Sequence, residues 1–436
     1  MIRLNALLLL PLLAVPSFAQ VGPWPSWRGP QHSGLAPGAT PPTTWSETEN
    51  VAWKAALPGT GKSTPIIQGE HIYLVNAVPT RPATAEELAK RKPMDGRGSA
   101  PTDDILAFLV IAIDAKNGEV VWESSVTERL QLGGIHSTNG YSSFSPVTDG
   151  EKLFVSLGSN GIYCLDLKTG DVLWEYEIGP QTMRREFGEA GSPALAGDLL
   201  IVVADQEEDS YIYALDKNTG KLRWKQARDE NSTWTAPFVI EQAGNLQIVV
   251  NGKTAVRSYQ AQDGALLWHC SGQTTNPIPT PVSDGKTVVV TSGYRGAAMM
   301  QFPLDKRSDL RDVENGVLWE HSTGTPYVPS PVLVDGKVYV LSGNTGRISC
   351  VDYATGKVLV DRQRLDLGNV YASILAAGGH LYVTDRDGLT AVLKHGEELE
   401  VVSMNQLAEP VDASPVAVGN VLYLRSDTSL YAIKNK

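Results

Sequence analysis

The chain has 436 residues, 42% hydrophobic and 19% charged, a balance that belongs to a folded globular protein and not to a disordered one. Its 37 basic and 48 acidic residues leave a net charge of -11, which repels phosphate backbones and argues against a nucleic-acid partner. The three cysteines, Cys164, Cys270 and Cys350, form no C-x-x-C pair or zinc-like cluster, so buried thiols are expected in place of a disulfide framework.

The first segment, MIRLNALLLLPLLAVPSFAQ, places one arginine before an apolar run and then small residues. Ser17 and Ala19 stand where a signal peptidase reads, which predicts a leader over residues 1–19 cleaved near Ala19. The run is too short to cross a bilayer, no later segment is apolar enough, and no cysteine lies beside the cleavage point. The expectation is a periplasmic or secreted protein, not a lipoprotein, with no membrane span. Residues 20–44 read as an N-terminal extension, and residues 45–436 as a single domain.

From Pro65 onward a unit repeats. Pro65, Pro146, Pro193, Pro237, Pro281, Pro331 and Pro415 each follow a small residue, and Ile374 replaces the proline in one further unit. A period in the forties, rich in valine, tyrosine and turn glycines, fits four-stranded blades. A strand follows each mark, a turn such as Asp335-Gly336 reverses it, and a third strand ends in an Asn-Thr-Gly or Ala-Thr-Gly turn. The fourth strand usually ends in tryptophan, at Trp122, Trp174, Trp224, Trp268 and Trp319, whose indoles can fill the wedge between blades. The last unit stops before its fourth strand, while ENVAWKAALP near the N-terminus carries Trp53 in the matching place. The reading is an all-β, eight-bladed β-propeller of four-stranded antiparallel blades, closed by the N-terminal strand completing the last blade.

The Ser-Pro strands and YALDKNTGKLRW resemble the tryptophan-docking repeats of PQQ-type β-propellers. The segments WPSWRGPQHSGLA, SGYRGAAMM, GTPYVPSP and GNVYAS are similar to those of exported PQQ-binding-like repeat proteins from bacteria such as planctomycetes and acidobacteria. The resemblance covers essentially the whole mature chain. It implies either a noncatalytic binding or scaffold protein, or a PQQ- and Ca²⁺-dependent quinoprotein dehydrogenase oxidising alcohols or sugars. The dehydrogenases carry an adjacent cysteine pair that this chain lacks. The noncatalytic reading is therefore preferred, and no cofactor is expected; PQQ and Ca²⁺ belong only to the alternative.

In such a blade the second-to-third and fourth-to-next-first connections emerge at one face. The loops leading into the marks converge there and are more elaborate than the hairpins opposite, the pattern expected of a binding face. The ligand-binding candidates are His136, Asn139, Tyr141, Arg185, Glu189, Trp234, Asn276, Tyr294, Arg295, Tyr327, Asn369 and Tyr371, with Lys62, Arg386 and Asp412 beside them. A mixed aromatic, amide and charged mouth suits a polar small molecule, a glycan or a periplasmic envelope protein. Residues 79–104 interrupt one second-to-third connection, with capping-box spacing at Thr84 and Glu87 and with Lys90, Arg91 and Lys92 suiting the end of a short helix. An insertion of that length is either a functional lid or a disordered loop, and DKRSDLRDVENG before Trp319 reads as decoration of the opposite face. ALPGTGKS matches a phosphate-binding loop only loosely, because Pro65 and a strand follow where a helix is required. DQEEDS lacks the ligand spacing of a calcium loop. No catalytic or metal-ligating residue is assigned.

Overall fold

The computed structural model describes residues 23–91 and 96–435. The predicted leader lies outside them, as does Lys92. Each sequence unit becomes one antiparallel sheet, and the sheets number eight. In blade 3 the strands Ala194–Ala196, Leu199–Ala204, Ser210–Asp216 and Leu222–Arg228 pair in chain order, with Ile201 opposite Ala214 and Ala214 opposite Trp224. Second and third strands are covered on both faces by neighbouring blades, so runs such as Val288, Val289 and Val290 are fully buried. Outer strands alternate instead, and leave Leu222, Leu266 and Val358 exposed.

Val51–Ala56 adds antiparallel to Ser429–Lys434 and completes blade 8, with Trp53 opposite Ala432. The first and last strands of the domain thus share one sheet, which closes the ring. Every outer-strand tryptophan from Trp53 to Trp268 follows a one-residue register shift, a bulge that turns its indole out of the sheet towards the next blade. Trp53, Trp174, Trp224 and Trp319 donate their indole N–H to carbonyls of Ala115, Lys217, Ala261 and Tyr353, at 2.9–3.2 Å. The facing turn must lack a side chain: a Cβ on Gly118 would lie 2.7 Å from Trp53, at a φ of +78° that disfavours other residues.

Trp268 differs. Ser308–Asp309, from the segment read as decoration, forms a fifth strand parallel to Leu266–Cys270, and Leu310 is buried in the same cluster. This corrects the sequence reading: the insertion seals Trp268 from solvent, because a parallel strand on an outer edge buries the face that edge exposes. The other insertion does contain a helix, Ala85–Leu88, with both halves of the Thr84–Glu87 capping box. No basic residue lies in its last turn. Arg91 instead donates to the Gln131 carbonyl at 3.0 Å and to Asp103 at 2.5 Å, tying the insertion to its own blade.

The N-terminal extension has a definite place. Trp24 bridges to Ile67 in blade 1, the Pro25 carbonyl accepts from Thr148 in blade 2, and Leu35–Ala36 pairs parallel to Leu375–Ala377 in blade 7. Thr40 donates to the Gly419 carbonyl of blade 8 at 2.7 Å. Arg28 is buried and donates to the carbonyls of Ser33, Pro331 and Ile374, so one guanidinium ties the extension to blades 6 and 7. Burial pushes that guanidinium down to about 9. These contacts fall on the first strands and their hairpin turns, so the extension closes the ring opposite the mouth.

Candidate functional site

The residue before each mark does more than start a strand. Thr64 N–H donates to Ser145 Oγ, Ser145 N–H to Ser192 Oγ, Thr280 N–H to Ser330 Oγ, Ser330 N–H to Ser373 Oγ, and Ser373 N–H to Ser414 Oγ, all at 2.9–3.0 Å. Ser414 N–H then returns to Thr64 Oγ1 at 3.1 Å. This belt of blade-to-blade bonds lies directly beneath the mouth loops and is interrupted where blade 4 carries Ala236, beside which Thr280 Oγ1 has no partner. A hydroxyl at this position satisfies a buried amide of the preceding blade, which explains the recurring serine.

Above the belt the eight loops enclose one central cavity of about 150 Å³. Its lining draws on every blade, from Thr64, Ser143, Ser192, Trp234, Ile278, Val328, Tyr371 and Asp412. The N-terminal extension contributes Trp27, whose half-buried indole belongs to the same lining. A second hollow of about 340 Å³ lies at the periphery between blades 3 and 4, lined by Glu208, Asp209, Tyr211, Glu230 and Lys253. Among the described residues no group of three or more His, Cys, Asp or Glu side chains gathers to hold a metal.

One wall of the central cavity is an ion network. Lys62 Nζ lies 2.5 Å from Asp412 and 3.0 Å from Asp427, and Arg386 Nε lies 2.6 Å from the other Asp412 oxygen. Arg386 also covers the Tyr371 ring at 4.6 Å, fixing that aromatic face. Trp234 is held by its indole N–H on the Gly188 carbonyl and its backbone N–H on the Pro277 carbonyl. The remaining aromatic side of the mouth is a stack of Tyr294 on Tyr327, with centroids 4.8 Å apart and planes at 24°. Arg295 lies 5.4 Å from the Tyr294 centroid, and burial pushes the Tyr327 phenol upward.

Of the predicted residues, Asn139, Trp234 and Tyr371 line the cavity. Tyr294, Arg295, Tyr327 and Asn276 form the aromatic rim; Asn276 is buried beside Tyr327. His136 packs edge-on against Phe187 and bonds Thr138, while Tyr141 packs against a blade core, its phenol pushed up to about 12 by burial. The Arg185 carbonyl accepts from Arg97 and Gly98 of the insertion. Asn369 is exposed at the end of a long outer strand, Val358–Asn369. Arg185, Asn276 and Arg295 hold φ of 52–55°, a left-handed conformation that carries local backbone strain.

Glu189 turns inward, away from the mouth. Its carboxylate accepts from Ser159 N–H at 2.7 Å and Gln181 Nε2 at 3.0 Å, and enclosure pushes it up to about 7. It joins blade 2 to the linker of blade 3. Sequence reasoning missed Trp27, although the aromatic-rich WPSW of the extension was a usable signal. The free thiols Cys164, Cys270 and Cys350 are buried, as expected.

A ring of tryptophan-docked blades with one plugged end and one open mouth defines a PQQ-type repeat propeller. The chain matches the family described as outer membrane protein assembly factor BamB over residues 43–207, 106–359 and 306–436. It belongs to that family. It is 22% identical over 317 residues to outer membrane protein assembly factor BamB of Yersinia pestis, covering 69% of this chain and 74% of the relative. The fold is also similar to that of BamB from Moraxella catarrhalis, with a TM-score of 0.56 and 16% identity over 83% of this chain and 99% of that one. Quinohemoprotein alcohol dehydrogenase from Comamonas testosteroni gives 0.59 and 10% identity over 95% of this chain and 81% of that one, a likeness of fold alone.

Proposed function

We propose that this protein is an exported, noncatalytic binding or scaffold propeller on the periplasmic side of the bacterial envelope, engaging its ligand or partner at the channel mouth. One observation carries the reading: all eight linker loops meet at a single cavity whose other end is plugged by the chain's own N-terminal extension. A plugged ring offers one concave face to a partner, and a rigid belt holds its loops in place. Relatives named as outer membrane protein assembly factors support an envelope protein as the partner.

The fold's kinship with quinoprotein dehydrogenases raises PQQ and Ca²⁺. PQQ is a fused tricyclic quinone carrying three carboxylates, whereas the cavity is about 150 Å³, the size that receives a single benzene-like ring. Among the described residues the only carboxylate in its lining, Asp412, is already bonded to Lys62 and Arg386. These residues do not fit the quinone and its metal.

The test is a photo-crosslinking residue at Val328 in the mouth and, separately, at Asp335 on the opposite hairpin face. Crosslinks to outer-membrane assembly proteins from Val328 and not from Asp335 are expected; the reverse pattern would sink the reading. A stoichiometric quinone spectrum with alcohol-dependent dye reduction after addition of PQQ and Ca²⁺ would replace it with the dehydrogenase.

A further inference from the structure

The cavity's chemistry narrows what it takes. Two indoles, Trp27 and Trp234, and the phenol of Tyr371 give it aromatic surface. The rest of the lining is dominated by hydroxyl and amide side chains, among them Thr138, Asn139 and Ser143, together with the Lys62–Asp412 pair. Thr138 bonds His136 and Ser143 bonds Asn139, so the wall is largely satisfied within the protein, but its hydroxyl oxygens keep second lone pairs that only a donor-bearing guest uses. The charges of the wall cancel: Lys62 and Arg386 face Asp412 and Asp427. In the lining itself Lys62 and Asp412 pair with each other, so a charged guest of either sign finds no unpaired partner and a neutral guest is favoured.

Hydrogen-bonding capacity remains open at the aromatic surface. Among the described residues the Trp27 indole N–H and the Tyr371 hydroxyl have no protein partner, whereas Lys62 bonds one oxygen of Asp412 and both oxygens of Asp427. A guest therefore needs hydroxyls that both give and accept, a flat apolar face to lie on an indole, and a size near one six-membered ring.

We propose that the mouth cavity is a saccharide subsite that receives one neutral pyranose ring, laid against Trp27 and Tyr371 with its hydroxyls on the Lys62–Asp412 side. This rests on the reading of the mouth as the binding face and adds the chemical class of ligand. It also gives the N-terminal extension a second task, since Trp27 both belongs to the plug and supplies an aromatic surface for the sugar.

The experiment titrates the full mature chain with methyl glucopyranoside and N-acetylglucosamine, with glucuronate and benzyl alcohol as charged and aromatic controls. Binding is read by tryptophan fluorescence and by saturation-transfer NMR. Saturable binding of a neutral pyranoside is expected, weakened about tenfold in Tyr371→Ala and with its fluorescence change reduced in Trp27→Phe, a substitution that keeps an aromatic ring in place. No saturable binding of either neutral sugar overturns the inference, as does tighter binding of glucuronate or benzyl alcohol. Binding unchanged in both variants overturns it too, because the sugar then sits elsewhere. If sugars fail while Val328 still crosslinks to an envelope protein, the saccharide subsite falls and the mouth remains the binding face; if both fail, the mouth reading falls as well.

Discussion

Ser414 donates its backbone N–H to the Thr64 hydroxyl oxygen at 3.1 Å, across 350 residues of sequence. That bond joins blade 8 to blade 1 and closes the hydroxyl belt beneath the mouth. Thr64→Ala strands the Ser414 amide in a buried site, and Ser373→Ala does the same to Ser330. Each is expected to cost about 1–3 kcal/mol, the penalty of a buried donor left unmade. Denaturant unfolding of the two variants checks this; losses below a few tenths would mean the belt is not what ties the blades.

Glu189 makes stability depend on pH. Its carboxyl is raised to about 7 in the folded protein, so between its ordinary pKa of about 4.5 and 7 the native state binds more protons than the unfolded one. Stability is therefore fully present below the ordinary value and is lost as pH rises through about 7, by on the order of 3 kcal/mol. Glu189 and Asp205 both line a small cavity beneath the linker of blade 3, where Asp205 is paired with Arg228 at 2.7 Å. Melting temperatures from pH 5 to 8 should slope downward in the wild type and flatten in Glu189→Gln. An equal slope in both proteins would assign the effect to another group.

The plug separates two neighbouring tryptophans by role. Trp24 is 2% exposed in the core that also contains Ile67 and Tyr431, and Trp24→Ala should cost about 3–5 kcal/mol. Trp27 is half-buried at the cavity, and Trp27→Ala should cost markedly less. Paired thermal melts decide; similar losses would make Trp27 a core residue.

Tyr327 stacks on Tyr294 at the rim and not inside a blade core. Tyr327→Ala should lower stability by only about 1 kcal/mol, the scale of one aromatic pair, while reducing crosslinking from Val328. A folded variant with undiminished crosslinking would remove the stack from the binding face.

Much of this was legible in the chain, and the boundary is physical. The strand starts at Pro65 through Pro415, the tryptophans and the N-terminal closing strand were readable because they repeat, and repetition reflects a constraint met once per blade. Trp53 stood out for that reason alone. Residues 308–310 and the extension occur once, so nothing in the sequence announced that Ser308–Asp309 would cover Trp268 or that Arg28 would cap carbonyls of two blades.

The same distinction governs the site. Local sequence determined that Asn139, Trp234 and Tyr371 lie in loops at one face, because strand alternation and turn order leave those loops no other exit. Which of the loop residues meet was decided by closure of the ring. Only when blade 8 bonds to blade 1 do Lys62, Arg386, Asp412 and Asp427 become one network. Only when the extension crosses beneath the blades does Trp27 reach their shared cavity. These contacts join residues hundreds of positions apart, and no local pattern encodes a distance that exists only after the circle closes.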